Sequence, residues 1–525
     1  MASDPTPFHR AAVWSRRFAW LLLTTVGRIL AAVLFLVFGG AILLAIVGFV
    51  LAKRRGQLSV WHTTVLEEEF TAACGDTSFA DYLDREERLF AELDRRIYRA
   101  VEPEALQAIQ RYRKGGPADP TGYAKNWNRT FELKPEGSPR RGVLLLHGMS
   151  DSPYSLRAIG ERLHREGAHV VGLRLPGHGT APSGLLGVHR RDMATAVALA
   201  MRHLCEAVGG RPVHLVGYSN GGALAVHYAL RRMEDASLPA VDGIVLISPA
   251  IGVSTMVGLT VWQGRLGHWL GIHKLEWNSI AAEYDPYKYN SFAVNAGDQV
   301  RRLTVEIGRR LDRLAGAGGL GEFPPVLAFQ SAVDATVSTP ALIEGLFSKL
   351  PAAGRELVLF DLNRVGRVEE FLARDPKREL TDLVLSSDHP FAVTVLANRD
   401  AASLALEQRH YPSDRSGRQD SDPGLAWPEG VYSLSHVSLP FSPDDPVYGR
   451  KAAPDREDRW FQIGNVALRG EKGVLRIPAA DQLRLRWNPF YPWLEDRVAA
   501  FVSGNGRLLH THREDGGGAE SNKTR

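Results

Sequence analysis

The chain has 525 residues, 44% of them apolar and 23% charged, a balance typical of globular rather than disordered proteins. Its 63 basic and 59 acidic residues leave a formal charge of only +4, which supplies no electrostatic footprint for nucleic acid. Two cysteines, Cys74 and Cys205, are too few for a disulfide framework or a cysteine-built zinc site, and the length points to one large domain with appendages.

The first element in chain order is apolar. Residues 29–52, ILAAVLFLVFGGAILLAIVGFVLA, carry no charge. At 1.5 Å per residue such a helix crosses a hydrocarbon core of about 30 Å. A secretory leader usually has a shorter apolar stretch, so an uncleaved anchor is favoured, although Val50-Leu51-Ala52 can be read as a poor cleavage site. A buried core helix is the blander reading. Arg10, Arg16, Arg17 and Arg28 precede the span and Lys53, Arg54 and Arg55 follow it, too even a split to set orientation.

Residues 53–126 read as a helical connector. Phe79, Tyr82, Leu83, Leu89, Phe90, Leu93 and Ile97 recur at helical spacing, and Ser78 with Asp81 makes a capping box at the start. From about residue 127 apolar runs alternate with helical stretches. The runs lie at 142–148, 169–179, 212–222, 242–250, 324–334 and 355–361, with helices expected over 153–166, 190–208, 221–232 and 339–350. Continuous apolar strands alternating with helices imply a mostly parallel sheet covered on both faces. Its ligand site then lies beyond the carboxyl ends of the strands. Two intervals break the rhythm: 251–323, read as a helical lid, and 362–430, read as a second insertion. Residues 504–525 read as a disordered tail.

Gly217-Tyr218-Ser219-Asn220-Gly221 follows the strand VHLV and precedes the helix GGALAVHYALRR. That strand–turn–helix context is what a nucleophile elbow requires, and it makes Ser219 the candidate nucleophile. An ordinary glycine turn is the alternative. Leu144-Leu145-Leu146-His147-Gly148-Met149 ends a strand in a His-Gly turn. The N–H groups of Asn220 and Met149 are the expected oxyanion donors. His147 would serve to bond this loop to itself.

The segments LLLHGMSDSPYSL, LRLPGHGTAPSG and LVGYSNGGALAVHYA together resemble the α/β-hydrolase superfamily. They look closest to the branch of monoacylglycerol lipases, lysophospholipases and serine aminopeptidase-like hydrolases, in bacterial membrane-anchored form. The resemblance spans roughly 127–361 and resumes near 430–503, so 127–503 is taken as the hydrolase domain. It implies an α/β-hydrolase fold with a helical lid, and a single-pass protein of the bacterial inner membrane.

That fold orders its triad serine, acid, histidine. Asp334, after the strand VLAFQSAVD, matches the acid position, with Asp361 in reserve. No histidine lies between Asp361 and Asp388, where simpler relatives place theirs, so the candidates are His389, His410 and His436. His436 is favoured because it stands in the strand-like run 431–437 ahead of the Pro-rich PFSPDDPVYG; His389 is the rival. The expected reaction is ester hydrolysis through an acyl-enzyme, without metal or organic cofactor.

The lid interval contains Trp262, Trp269, Trp277 and Tyr284, candidate walls for an acyl-chain pocket. Together with the anchor they favour a lipid-like ester, of monoacylglycerol or lysophospholipid type, and a membrane as partner. A peptidase or amidase of the same fold and a non-catalytic membrane scaffold are the competing readings.

Overall fold

The computed structural model describes residues 20–36, 38–40, 56–75, 77–102, 106–252, 271–366, 370, 372, 390–414, 416–450, 462–464 and 483–504. Ten strands form one sheet, in the order β1-β3-β2-β4-β5-β8-β9-β10-β11-β12. They are β1 (Phe131–Leu133), β2 (Arg141–Leu146), β3 (Ala168–Leu173), β4 (Val213–Tyr218), β5 (Gly243–Ile247), β8 (Val326–Ser331), β9 (Arg355–Phe360), β10 (Ala392–Asn398), β11 (Leu406–Tyr411) and β12 (Gln419–Ser421). Two short strands, β6 (Trp277–Ser279) and β7 (Phe292–Ala293), pair separately. The strands from β3 to β10 run parallel, while β1, β11 and β12 are antiparallel edges.

The apolar runs read as continuous because both faces are covered. In β2, Leu144 and Leu146 belong to one buried cluster, whereas Val143 and Leu145 belong to the other. This is the two-residue alternation of a strand. Leu144 stands opposite Val171 of β3 and Leu215 of β4, so the same face stays apolar across the sheet. Helices Arg190–Val208, Asn220–Glu234 and Val294–Gly316 cover it, and Arg157–Arg165 and Tyr491–Val502 cover the reverse.

The connector helix forms at Phe79–Arg96. Its capping box is reciprocal: the Asp81 N–H donates to Ser78 Oγ at 3.1 Å and the Ser78 N–H to Asp81 Oδ2 at 3.0 Å. It is tied to the sheet by Arg174, almost fully buried, whose guanidinium meets Glu86 and Glu69, each at 3.0 Å. A buried guanidinium needs such partners, because an unpaired one would cost several kcal/mol, roughly.

Two expectations change. The interval 362–430 is not wholly an inserted subdomain, since β10, β11 and β12 extend the central sheet, β10 lying parallel to β9 with Val395 opposite Leu359. The β-branched run AVTV has the same physical reason to pair as the strands before it. The apolar N-terminal helix spans Trp20–Gly40, starting nine residues before the expected 29–52, of which residues 41–52 lie outside the described ones. Thr24 and Thr25 fit in its first turns because their hydroxyls bond back to the carbonyls of Trp20 and Leu21. This helix is long and apolar enough to cross a membrane; a signal sequence meets the same test. The tail beyond residue 504 lies outside the described residues.

Candidate active site

Ser219 sits between β4 and the helix Asn220–Glu234 with φ 53° and ψ −116°. For a residue with a Cβ this conformation costs on the order of 1–3 kcal/mol and needs over-determination by its surroundings. The Ser219 N–H donates to the Ile247 carbonyl at 3.0 Å, and its own carbonyl accepts from Ala250 at 2.9 Å and Gly222 at 3.0 Å. The flanking glycines are sterically required. A Cβ on Gly217 would come within 2.5 Å of the Gly221 carbonyl, and one on Gly221 would collide with the Leu146 carbonyl. The elbow therefore packs directly on the end of β2.

His436 lies with Nε2 3.0 Å from Ser219 Oγ and Nδ1 2.8 Å from Asp334 Oδ2. A carboxylate only accepts, so Nδ1 carries the hydrogen and Nε2 faces the serine hydroxyl as acceptor. Asp334 terminates the turn after β8, and its side chain is fully buried. Its other oxygen accepts the N–H groups of Thr336 at 2.8 Å and Val337 at 3.0 Å. Burial alone would raise the Asp334 carboxyl; the His436 bond and charge, with these backbone donors, hold it below the usual carboxylate range instead.

The segment carrying His436 is not a strand: residues 431–435 have no regular structure and 436–440 form turns. Beyond β9 the sheet is continued by β10, β11 and β12. Side chains and loop backbone pin it instead. Ser331 Oγ donates to the Leu434 carbonyl at 2.9 Å, Asn363 Nδ2 to Val431 at 2.9 Å, and the Asn363 N–H to Tyr432 at 2.7 Å. Tyr218 Oη reaches the His436 carbonyl at 3.3 Å.

The other candidates lie elsewhere. His410 stands on β11 against the Thr394 hydroxyl at 2.8 Å, and His389 is outside the described residues. Asp361 is engaged by Arg364 at 2.9 Å. His147 bonds the loop after β2 from both ends of its ring: Nδ1–H to the Gly148 carbonyl at 2.9 Å, while Nε2 accepts the Leu175 N–H at 3.0 Å. Burial pushes its pKa well down, which keeps that neutral arrangement. Met149, buried, follows in this loop. The Asn220 N–H opens the first turn of its helix, where no carbonyl four residues earlier can take it.

Of the lid aromatics, Trp262 and Trp269 are outside the described residues. Trp277 is buried edge-on to His62, 5.0 Å between rings, and lines a separate cavity of about 880 Å³ under the segment 58–71. Tyr284 does line a cavity beside the candidate triad, of about 410 Å³, bordered by Tyr218 and Val437. Its hydroxyl accepts from Arg486 at 3.1 Å. Beside the aromatic side chains, Asp151, Asp285, Lys288, Arg484 and Arg486 line the same cavity. These charged residues come from three distant segments, and no local pattern announces them.

Among the described residues one group has metal-ligand chemistry. Glu132, His169 and His203 bring their donor atoms within 4.8 Å of one another. Glu132 Oε1 takes both imidazoles, at 2.7 and 2.8 Å, and the His203 bond leads in pulling its pKa down to about 2. His169 sits at the amino end of β3, whereas Ser219 follows the carboxyl end of β4.

Residues 137–361 match the family model described as "Serine aminopeptidase, S33". The chain is 24% identical over 225 residues to a thermostable monoacylglycerol lipase of Bacillus sp. (strain H-257), covering 41% of this chain and 79% of that one. It is 31% identical over 144 residues to the magnesium-chelatase 30 kDa subunit of Rhodobacter capsulatus, covering 27% of this chain and 46% of the relative, under half its length. Among solved structures, the Paleococcus ferrophilus monoacylglycerol lipase aligns with 20% identity and a TM-score of 0.34, covering 49% of this chain and 98% of that one.

Proposed function

We propose that residues 137–361, which match the family model described as "Serine aminopeptidase, S33", form an α/β-hydrolase core, and that the protein hydrolyses carboxylic esters through a Ser219–His436–Asp334 triad. The observation that carries the reading is the position of one imidazole, 3.0 Å from a strained serine and 2.8 Å from a buried carboxylate.

His436 Nε2 takes the Ser219 proton as Oγ attacks the ester carbonyl, and Asp334 stabilises the imidazolium that forms. The N–H groups of Asn220 and Met149 receive the charge that develops on the carbonyl oxygen. Collapse expels the alcohol, which takes the proton from His436 Nε2. Water, deprotonated by the same nitrogen, then releases the acid and regenerates the serine.

The kinship with a monoacylglycerol lipase supports a lipid-like ester of monoacylglycerol or lysophospholipid type. The helix Trp20–Gly40 supports a single-pass anchor holding the enzyme at a bilayer, where a lipid-like ester would be within reach. Labelling of the full chain with a fluorophosphonate, followed by peptide mapping, tests the reading. The label is expected on Ser219, with Ser219→Ala losing both the label and at least about a thousandfold in ester turnover. Near-normal turnover in that variant sinks the reading.

A further inference from the structure

The cavity beside Ser219 holds an ammonium group with no hydrogen-bond partner among the described residues. Lys288 is half-buried in its wall, and among the described residues its Nζ makes no recorded hydrogen bond or ion pair. Burial holds its pKa below the ordinary lysine value, opposed mainly by the field of Asp151. A desolvated charge without a counter-ion is costly, and such groups are normally paired or hydrogen-bonded.

The nearby acids do not fill that role. Asp285 spends Oδ1 on the backbone N–H groups of Tyr287 and Lys288 and on the Tyr448 hydroxyl at 2.6 Å. Asp151, 3% exposed, spends Oδ1 on the Ser152 N–H at 2.8 Å, and burial lifts its carboxyl to about 7, so near neutrality it is only half charged. Arg484 and Arg486 line the same cavity. Three basic side chains thus line this cavity together with two acidic ones.

The wall continues into the candidate catalytic residues. Tyr218 and Val437, both lining the cavity, are the chain neighbours of Ser219 and His436. Tyr289, also in the wall, donates its N–H to the Ser150 carbonyl at 2.8 Å, which fixes the Lys288 segment to the loop after β2. An ester whose carbonyl lies at Ser219 would extend one of its two ends into this space.

We infer that the cavity is an anion subsite: the ester cleaved at Ser219 carries a phosphate or carboxylate group that pairs with Lys288, with Arg484 and Arg486 beside it. The inference rests on the serine hydrolase reading above and narrows its substrate class to esters that carry an anionic group. Guanidinium and ammonium groups bind such oxyanions by charge-assisted hydrogen bonds.

Two matched substrate pairs test it with the full chain in detergent. One pair puts a carboxylate on the acyl side, the mono-4-nitrophenyl ester of glutaric acid against 4-nitrophenyl butyrate. The other puts a phosphate on the alcohol side, the butyryl ester of 4-hydroxyphenyl phosphate against that of 4-methylphenol. At least one anionic member is expected to exceed its neutral partner in kcat/KM, and the pair that does so identifies the end that enters the cavity. Lys288→Met is expected to lower that ratio about tenfold, and Lys288→Arg to recover part of it. Should Lys288→Met not fold, Arg484→Gln, at an exposed position, is expected to lower the ratio several-fold. Preference for the neutral member in both pairs overturns the inference, as does a ratio unmoved in the folded variants. Failure of the hydrolase reading looks different: no ester of either pair is cleaved and Ser219 takes no fluorophosphonate label.

Discussion

Gln330 Nε2 lies 3.2 Å from Asp334 Oδ2, the same oxygen that faces His436 Nδ1. Gln330 is buried on β8, and its amide also reaches the Val337 carbonyl at 3.2 Å. It therefore holds the carboxylate from the strand side while backbone donors hold it from the turn. Gln330→Met should lower kcat about tenfold with KM little changed, the effect of one hydrogen bond to a charged group. Losing a donor lets the Asp334 pKa rise, so the acid limb of the kcat profile should move to higher pH. A change in KM alone would point to a packing role.

His436→Ala should remove most esterase activity while the far-ultraviolet circular dichroism stays that of the folded chain. His389→Ala should stay within a few-fold of wild type. Steady-state rates on 4-nitrophenyl butyrate decide between them, and the reverse result would move the base to His389 without changing the reaction class.

The Asp334 carboxyl is held below its ordinary range. Its contribution to stability is therefore whole above that range and is lost as pH falls toward the folded value. The melting temperature of wild type minus that of Asp334→Asn should be constant near neutrality and shrink between about pH 5 and pH 3. At pH 7 the asparagine variant should lose about three to four orders of magnitude in kcat, because the imidazole no longer keeps its tautomer.

Asp151 faces Lys288, Asp285, Tyr218 and Tyr448, with Ser152 and Ser155 bonding its carboxyl. Its pKa is raised to about 7 by burial. As pH rises through 7 it gains a negative charge that competes for Lys288. The preference for a carboxylate-bearing ester over its neutral match should then fall between pH 6 and pH 8, and Asp151→Asn should flatten that step. An unchanged step in the variant would assign it to another group.

Deleting residues 1–55 should give a chain that fractionates without detergent and still cleaves short esters, since every residue proposed for the chemistry lies beyond residue 140. Sedimentation with vesicles is the measurement. Retention on vesicles after truncation would mean that another apolar surface binds the bilayer.

Local patterns carried much of this architecture in the sequence. Six parallel strands were legible because burial on both faces writes uninterrupted apolar runs, and Ser219 because its turn demands glycine at 217 and 221. Strand β10 was not recognised, although its run 391–396 was visible, because it follows a long interval outside the alternating rhythm. The N-terminal helix was placed too late because a charge-free window stops at Arg28, whereas a helix needs only its backbone bonds. Gln330, Lys288, Arg484 and Arg486 left no signal, since their meaning arises only where residues from separate segments share one cavity. His436 was legible from the serine–acid–histidine order and from its apolar run ahead of a Pro-rich loop, whereas its segment is held by side chains and loop backbone rather than by a ladder.

The contact between Ser219 and His436 joins residues 217 positions apart. The intervening chain includes six strands of the central sheet, β5 and β8 through β12, all of which must find their register before the imidazole can arrive. Closing so long a loop is entropically costly and comes late when its ends depend on prior pairing. Enzymatic competence is thus a reporter of completed folding: after dilution from denaturant, helical signal should return first and turnover last. A nascent chain still emerging, with the first half of its sheet already built, would carry an inert serine, harmless to the esters around it until its final hundred residues are in place.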